Sequence, residues 1–240
     1  MKQILVLTIA LLLSTQGVKA DDFSKAEIEN IIKEYINANP QVILDSVETY
    51  GRQQQSADAS QQQEAVDKHI SWLENNDILP TAGNPNGDVT VVEFFDYNCG
   101  YCKKAVDDVM KLMAEDKNVK FIFVETPILG RTSELAAKWA MAAKKQDAYL
   151  EFHIGAMQNR GPINEAALQK IAEKIGLNIE KMKVDVASDE VANIVAEKAA
   201  KASQMGISGT PAFIINGQLY GGYIGLDSMR QAVKQAREES

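Results

Sequence analysis

The sequence predicts an α/β domain preceded by an N-terminal helical segment, and three patterns carry that prediction. Two nearly continuous β-forming runs, 89–95 and 119–124, flank a stretch with helical spacing of apolar side chains, which is the order of a βαβ unit. Residues 132–201 are rich in Ala, Lys and Glu and are interrupted by glycine, which indicates several helices. Near the C-terminus an Asn-Gly turn joins two short runs and predicts a hairpin before a closing helix.

The first element in chain order is a candidate secretory signal in residues 1–20. Met1 and Lys2 precede an apolar run, 4–13, and a small-x-small ending follows at Val18-Lys19-Ala20. The run is shorter than the roughly 20 residues that a membrane helix needs. We therefore expect cleavage before Asp21, with an uncleaved anchor as the alternative.

Residues 21–75 are predicted to form a separate helical region and linker. Ser24 and Glu27 have the spacing of a capping box, and Asn39-Pro40 ends the helix that follows it. A second helix is expected from about Pro40, with Gly51 interrupting it, and 52–63 is a Gln-rich stretch that suits an exposed helix or a flexible linker. The apolar residues of the first helix share one face: Ile28, Ile31, Ile32, Tyr35 and Ile36.

The apolar faces of these early helices must be shielded from water by another surface. Two or three copies packed through residues 21–65 would supply it, which predicts a homodimer or homotrimer. The alternative is that the helices fold back on the following domain.

The main domain is predicted over residues 76–240. Its first strand follows strong turn chemistry at 84–87 and is apolar enough to be covered on both faces. A helical insertion is expected over about 131–201. The other predicted elements are a helix from Cys99 to about Glu115, strands 119–124, 212–215 and 218–220, and a helix over about 226–238.

The net charge and the cysteine count limit the classes of function that the chain can have. The formal net charge is −8, which argues against a nucleic-acid partner, because such a partner needs a basic footprint. The chain has only two cysteines, Cys99 and Cys102. A disulfide between them would close a very short loop and could stabilise the fold only weakly, so the pair is better suited to chemistry than to structure.

The central motif is Cys99-Gly100-Tyr101-Cys102, which follows a buried strand and opens a helix. The positive end of a helix stabilises a thiolate, so we expect Cys99 to be the exposed nucleophile and the more buried Cys102 to be the resolving thiol. No cofactor is expected beyond the redox-active disulfide that these two residues form. The alternatives are an inert bridge and half of a zinc site, although zinc usually takes four ligands and neither His69 nor His153 has ligand spacing.

Two segments resemble the DsbA family of thioredoxin-fold proteins. Residues 91–103 read Val-Val-Glu-Phe-Phe-Asp-Tyr-Asn-Cys-Gly-Tyr-Cys-Lys, and 208–213 read Ser-Gly-Thr-Pro-Ala-Phe. The likeness covers roughly 78–240 and implies a thioredoxin fold with a helical insertion. It also implies that the clients are exported proteins and that a membrane protein of DsbD or DsbB type recycles the cysteine pair.

The resemblance assigns roles to three more residues. Pro211 is expected to be cis and to lie against the cysteines, so that the backbone of Thr210 can pair with a substrate strand; the alternative is an ordinary trans turn. Glu93 matches a buried acid whose raised pKa would let it move protons for Cys102. Its alternative is a strand residue that points to solvent.

Two features differ from those of a plain disulfide oxidase. Gly100, Tyr101 and Thr210 resemble DsbC-type disulfide isomerases, whereas DsbA carries a His in its dipeptide, and Tyr101 cannot supply the positive charge that makes a disulfide more oxidising. The N-terminal helices resemble those of suppressor-of-copper-sensitivity C-type (ScsC-like) proteins and Com-type antigens. Together with cleavage of the predicted signal near Ala20-Asp21, this likeness implies a periplasmic location, and the Com-type likeness implies association with the outer membrane.

The sequence thus predicts a periplasmic protein disulfide isomerase, or a bifunctional isomerase and oxidase. The alternatives are a DsbA-like disulfide oxidase and, from another class, a non-catalytic thiol holdase or copper-binding surface protein.

Overall fold

The computed structural model describes residues 23–239, so the predicted signal, 1–20, and its cleavage site lie outside the described residues. The chain divides into two compact units, one ending at Gln55 and the other beginning at Ser56. Among the helices of residues 23–239, none combines the length and the hydropathy that a membrane crossing requires.

The first unit contains α1 (Lys25–Ala38) and the first part of α2 (Gln41–Asp67). Ser24 caps α1 as predicted: its hydroxyl accepts the Glu27 N–H at 3.3 Å, and the Glu27 carboxylate accepts the Ser24 N–H at 2.9 Å. The apolar residues of this unit are about half exposed, and they are Ile28, Ile31, Ile32, Tyr35, Val42, Ile43, Leu44, Val47 and Tyr50.

Helix α2 runs through Gly51, so the predicted interruption there is wrong. A glycine inside a helix costs only about 1 kcal/mol relative to alanine, and the Gln, Arg and Ala residues that follow are adequate helix formers. The Gln-rich stretch, 52–63, which the sequence left open between helix and linker, is helical.

The second unit is built on a five-stranded sheet with the strand order β1-β3-β2-β4-β5. Strands β2 and β3 are parallel, and the other neighbours are antiparallel. The α/β class and the predicted order of elements are confirmed. The strands are β1 (Thr81–Gly83), β2 (Val89–Phe95), β3 (Val119–Glu125), β4 (Ala212–Ile215) and β5 (Gln218–Gly221).

Helices cover both faces of this sheet. Successive strand residues face opposite sides, so Val91 and Phe95 of β2 pack in one core layer and Val92 and Phe94 in the other. The predicted insertion contains five helices over 131–204. The helices of the unit, after the end of α2, are α3 (Ile70–Glu74), α4 (Gly100–Glu115), α5 (Arg131–Lys144), α6 (Tyr149–Gln158), α7 (Glu165–Lys174), α8 (Ile179–Val186), α9 (Asp189–Gln204) and α10 (Gly225–Glu239).

The second unit begins at Ser56, twenty residues before the predicted domain boundary at 76. Val66 of α2 and Leu73 of α3 are buried in the core layer that contains Val92 and Phe94. The side chain of Gln63 also bridges to the β4–β5 hairpin, because its amide donates to the Gly217 carbonyl at 2.7 Å and its oxygen accepts the Leu219 N–H at 3.1 Å. The end of α2 therefore belongs to the sheet domain.

Candidate active site

Both cysteines lie where the chain passes from the end of β2 into α4. Cys99 is the N-cap of α4, and its Sγ accepts the backbone N–H of Cys102 at 3.3 Å. Cys99 is 8% exposed and Cys102 is 0% exposed. The order of exposure agrees with the expected roles, although Cys99 is less exposed than the sequence suggested.

The second predicted segment meets the first at Cys99. The Thr210–Pro211 peptide bond is cis, and Cys99 Sγ donates to the Thr210 carbonyl at 3.2 Å. Burial raises the pKa of the Cys102 thiol, which favours its protonated form. The structure thus brings Cys99, Cys102, Thr210 and Pro211 into one site.

Glu93 lies beneath this site, in the core layer that also contains Cys102. Strand alternation puts it on the same face of β2 as Val91 and Phe95, between Phe123 and Phe213 of the neighbouring strands. It is buried, its Oε2 has no hydrogen-bond partner, and burial raises its pKa to about 8. The hydrogen bonds of residues 23–239 include none between Glu93 and Cys102, so a proton transfer between them needs a bridging group or a movement.

The two residues between the cysteines differ in their surroundings. A Cβ at Gly100 would meet no atom within 4 Å, so packing does not require glycine there. Tyr101 is 65% exposed and stacks on Tyr223, with the ring centroids 6.3 Å apart. Tyr223 in turn donates to the Asp108 carboxylate at 2.5 Å. Tyr101 therefore presents an aromatic surface beside Cys99.

The sequence pattern of residues 96–98 indicates only the end of a strand, but in the structure they hold the active-site turn. The buried Asp96 carboxylate accepts the Asn98 N–H at 2.7 Å and the Leu129 N–H at 2.9 Å. The Asn98 amide donates to Thr132 and Ser133 at the start of α5, both at 2.8 Å. An Asp two residues before an Asn, at a strand end, is a turn signal that could have indicated these bonds.

A second buried polar group lies behind β2. His153 of α6 is fully buried, and its Nδ1 pairs with the Tyr97 hydroxyl at 3.3 Å. Burial lowers the pKa of His153 to about 3, so its ring is neutral at ordinary pH. Within residues 23–239 no three His, Cys, Asp or Glu side chains cluster in a way that could hold a metal ion.

Solved structures of similar proteins share this architecture. A thioredoxin-like oxidoreductase from Silicibacter pomeroyi is 40% identical, with a TM-score of 0.67, covering 70% of this chain and 97% of that one. The thiol-disulfide exchange protein alpha-DsbA2 from Wolbachia pipientis is 28% identical, with a TM-score of 0.69, covering 77% and 98%. Proteus mirabilis ScsC in a transitional conformation is 22% identical, with a TM-score of 0.68 over 90% and 97%, and shows likeness of fold alone.

Curated relatives match somewhat less than two thirds of this chain. A Na(+)/H(+) antiporter, NhaA 1 of Salinispora arenicola, is 30% identical over 150 residues, which are 62% of this chain and 23% of that protein. The chain thus spans about a quarter of the length of the first curated relatives it matches, so their transport activity is not carried over. The probable disulfide bond formation protein D of Bacillus cereus is 28% identical over 63% of this chain and 75% of its own length.

Family models match both parts of the chain. Residues 25–57 match the copper resistance protein ScsC N-terminal domain. Residues 90–235 match the DSBA-like thioredoxin domain, and this segment contains both cysteines, the cis-proline and the helical insertion. Since that match covers more than half of the chain, the protein belongs to the DSBA-like thioredoxin domain family.

Proposed function

We propose that this chain is a thiol–disulfide oxidoreductase acting on exported proteins, and that it works as a protein disulfide isomerase. The observation that carries the proposal is the position of Cys99 Sγ at the N-cap of α4. It accepts the Cys102 N–H at 3.3 Å and lies 3.2 Å from the carbonyl of Thr210, next to the cis-proline. A thiolate there is stabilised by the helix terminus, and the backbone of Thr210 is positioned to pair with an extended client segment.

The exchange begins when the Cys99 thiolate attacks one sulfur of a client disulfide. A bond forms between Cys99 and that sulfur, and the second client sulfur leaves as a thiolate. In isomerisation, a client thiolate attacks the mixed disulfide and releases Cys99 unchanged. If Cys102 attacks Cys99 instead, the client leaves reduced and the enzyme retains the Cys99–Cys102 disulfide.

Cys102 must lose a proton before it can attack, and its buried thiol holds that proton strongly. Glu93 lies in the same core layer and has a pKa of about 8, which is close enough to neutrality for a group that accepts and returns protons. We assign Glu93 the role of base for Cys102, acting through a bridging group.

Two features support isomerisation over simple oxidation. Tyr101 supplies no positive charge that would make the disulfide more oxidising. The exposed apolar side chains of α1 and the start of α2 suit a dimer or trimer interface, and paired sites would hold a misfolded client between them.

A periplasmic thioredoxin-like protein from Salmonella enterica serovar Typhimurium is 26% identical, which supports a periplasmic location for this chain. Outer-membrane association stays a prediction from sequence.

Recovery of activity from scrambled ribonuclease tests this proposal. The full chain should restore activity, and Cys99→Ser should abolish the recovery. An Ile31→Asp and Ile32→Asp double variant should lower it several-fold, because α1 then loses its apolar face, whereas Lys33→Gln on the same helix should not. Full recovery of ribonuclease activity with the double variant would contradict the role assigned to oligomerisation.

A DsbA-like oxidase is the second candidate, favoured by the similarity to disulfide bond formation protein D. The redox state of Cys99 and Cys102 in cells separates the two candidates. A mostly reduced pair, maintained by a partner of DsbD type, agrees with isomerisation. A mostly oxidised pair, maintained by a partner of DsbB type, agrees with oxidation.

The third candidate is a non-catalytic holdase or copper-binding surface protein, and it is favoured by the match to the copper resistance protein ScsC N-terminal domain. That candidate predicts stoichiometric Cu(I) binding by the two thiols without turnover of insulin. Catalytic reduction of insulin that depends on Cys99 would exclude it.

A further inference from the structure

The loop between α6 and α7 lies against the first turn of α4, next to the active site. Lys103, the residue after Cys102, donates through Nζ to the carbonyl of Asn159 at 3.0 Å. This bond places Arg160 near Lys103, and burial, followed by the guanidinium charge, lowers the pKa of the lysine. Lys103 lies one helical turn after Cys99, and Arg160 adds a second positive charge beside Lys103.

A groove of about 460 Å³ continues from this loop along α7. Asn159 lines this groove together with Lys170 and Lys174, which are one helical turn apart on α7. Both lysines are exposed. Asn159 connects these cations, because Lys103 contacts it, Arg160 follows it in the chain and the two lysines line its groove. We call Lys103, Arg160, Lys170 and Lys174 the cationic strip.

No carboxylate of residues 23–239 forms a salt bridge with any member of the cationic strip. The acids on α4 and α7 form no such pair. Asp107 accepts a bond from Gln158, while Glu165 and Glu173 of α7 do not line the groove.

The chain as a whole carries a net charge of −8. A set of unpaired cations in such a chain is a local reversal of charge, and it favours an anionic group from outside the molecule.

We propose that the cationic strip binds an acidic segment beside the reacting cysteine of a protein partner. This inference rests on the proposed exchange at Cys99 and names the kind of partner that the site selects. The strip begins one turn from the nucleophile, since the Lys103 N–H donates to the Cys99 carbonyl at 3.0 Å. An extended segment advances about 3.3 Å per residue, so about two residues beyond the partner cysteine span the roughly 5.4 Å of the helical turn from Cys99 to Lys103, and the following residues can approach Arg160 and the groove.

Peptide disulfides of matched length provide the probe. Each peptide has one cysteine followed by three glutamates or by three lysines, and each is supplied as its symmetrical disulfide. The reduced chain attacks one sulfur through Cys99 and releases one peptide thiol. Cys102 then attacks Cys99 and releases the second, so that two enzyme thiols are oxidised while one peptide disulfide is reduced.

We expect the glutamate peptide to react about tenfold faster than the lysine peptide at low salt, and the ratio to fall toward 1 at about 0.5 M salt. The net charge of the chain alone would favour the lysine peptide, so this preference is diagnostic. An Arg160→Gln and Lys170→Gln double variant should lower the ratio about threefold. A Lys117→Gln and Lys181→Gln variant makes the same change in charge away from the strip and should leave the ratio unchanged.

The outcomes separate this inference from the proposed function. Equal rates for the two peptides, or a preference that both double variants reduce alike, would overturn the assignment of the strip while leaving the exchange chemistry intact. Binding of the chain to phosphatidylglycerol vesicles through these cations, without any peptide preference, would also overturn it in favour of a lipid surface. Failure to react with either peptide would instead contradict the proposed function.

Discussion

At the scale of single residues, Glu93 shows how a position on a strand determines the chemistry of a side chain. Its flanking residues, Val92 and Phe94, face the opposite core layer, so the carboxyl group is directed into the layer beneath the active site. The sequence allowed this burial to be predicted. It could not show that Oε2 lacks a partner, because that depends on residues distant in the chain.

Glu93→Gln should change how the stability of the protein depends on pH. Between pH 4.5 and about 8 the folded chain retains a proton that the unfolded chain has lost, so the free energy of unfolding falls as the pH rises through this window. The shift corresponds to a total of about 5 kcal/mol. Urea unfolding of the reduced protein should show the variant gaining stability relative to the parent up to pH 8 and no further above it.

The exposed Glu165→Gln variant is the control for Glu93→Gln. It should follow the pH dependence of the parent chain. Parallel pH profiles for the parent and Glu93→Gln would contradict the burial and the raised pKa of Glu93.

Asp96 is a residue whose importance the sequence pattern did not indicate. Asp96→Ala should lower the free energy of unfolding by about 1–3 kcal/mol, because two part-buried backbone N–H groups, those of Asn98 and Leu129, lose their acceptor. Asp107→Ala, an exposed change on α4, should cost less than about 0.5 kcal/mol. Chemical denaturation measures both, and equal effects would show that the Asp96 bonds do not hold the turn.

At the scale of elements, a buried ion pair joins the insertion to the sheet. Lys198 of α9 and Glu125 of β3 are both buried and form a salt bridge, and Tyr149 of α6 donates to the other Glu125 oxygen at 2.5 Å. The Lys198 Nζ also lies 3.4 Å from Met141 Sδ of α5. Three helices of the insertion therefore meet the end of one strand. The helices could be predicted from composition, but this meeting point could not, since lysine on a helix usually faces solvent.

Lys198→Met should destabilise the fold by about 3–5 kcal/mol, because it leaves the buried Glu125 carboxylate without its partner. A Lys198→Met and Glu125→Gln double variant should recover part of that loss, since neither charge then remains. Urea denaturation provides the free energies of unfolding. An unchanged midpoint for Lys198→Met would contradict a tightly buried pair.

The differences between predicted and observed elements have a common cause. Strand β1 has only three residues, which is too short for a periodic pattern, and it forms because it pairs with β3. The end of α2 is polar in sequence but is held to the β4–β5 hairpin by Gln63. Both features depend on contacts with distant segments, which local patterns do not contain.

At the scale of the whole molecule, the order of elements could be predicted from the sequence, because each long helix or strand has its own characteristic spacing of apolar residues. The strong β-forming runs and the amphipathic helices account for the sheet, the insertion and the closing helix. The cysteine motif and the proline loop are 111 residues apart, as measured from Cys99 to Thr210, yet the fold joins them. Their pairing was predictable from family resemblance and not from spacing.

The oligomeric state is a prediction that belongs to this scale. Sedimentation velocity of the mature chain should show a dimer or a trimer, because the exposed isoleucines of α1 need a cover. The Ile31→Asp and Ile32→Asp double variant should sediment as a monomer, and Lys33→Gln should sediment like the parent. A monomeric parent chain would contradict this prediction.

The central claim is that Cys99 attacks the partner disulfide and that Cys102 resolves the intermediate, and the intact mass of trapped protein tests it most directly. After reaction with a peptide disulfide, Cys102→Ala should carry one peptide, located on Cys99 and released by reductant. Cys99→Ala should carry none, and the parent chain should end as the Cys99–Cys102 disulfide without peptide. A stable adduct on Cys102 in Cys99→Ala, or no adduct in Cys102→Ala, would contradict the account.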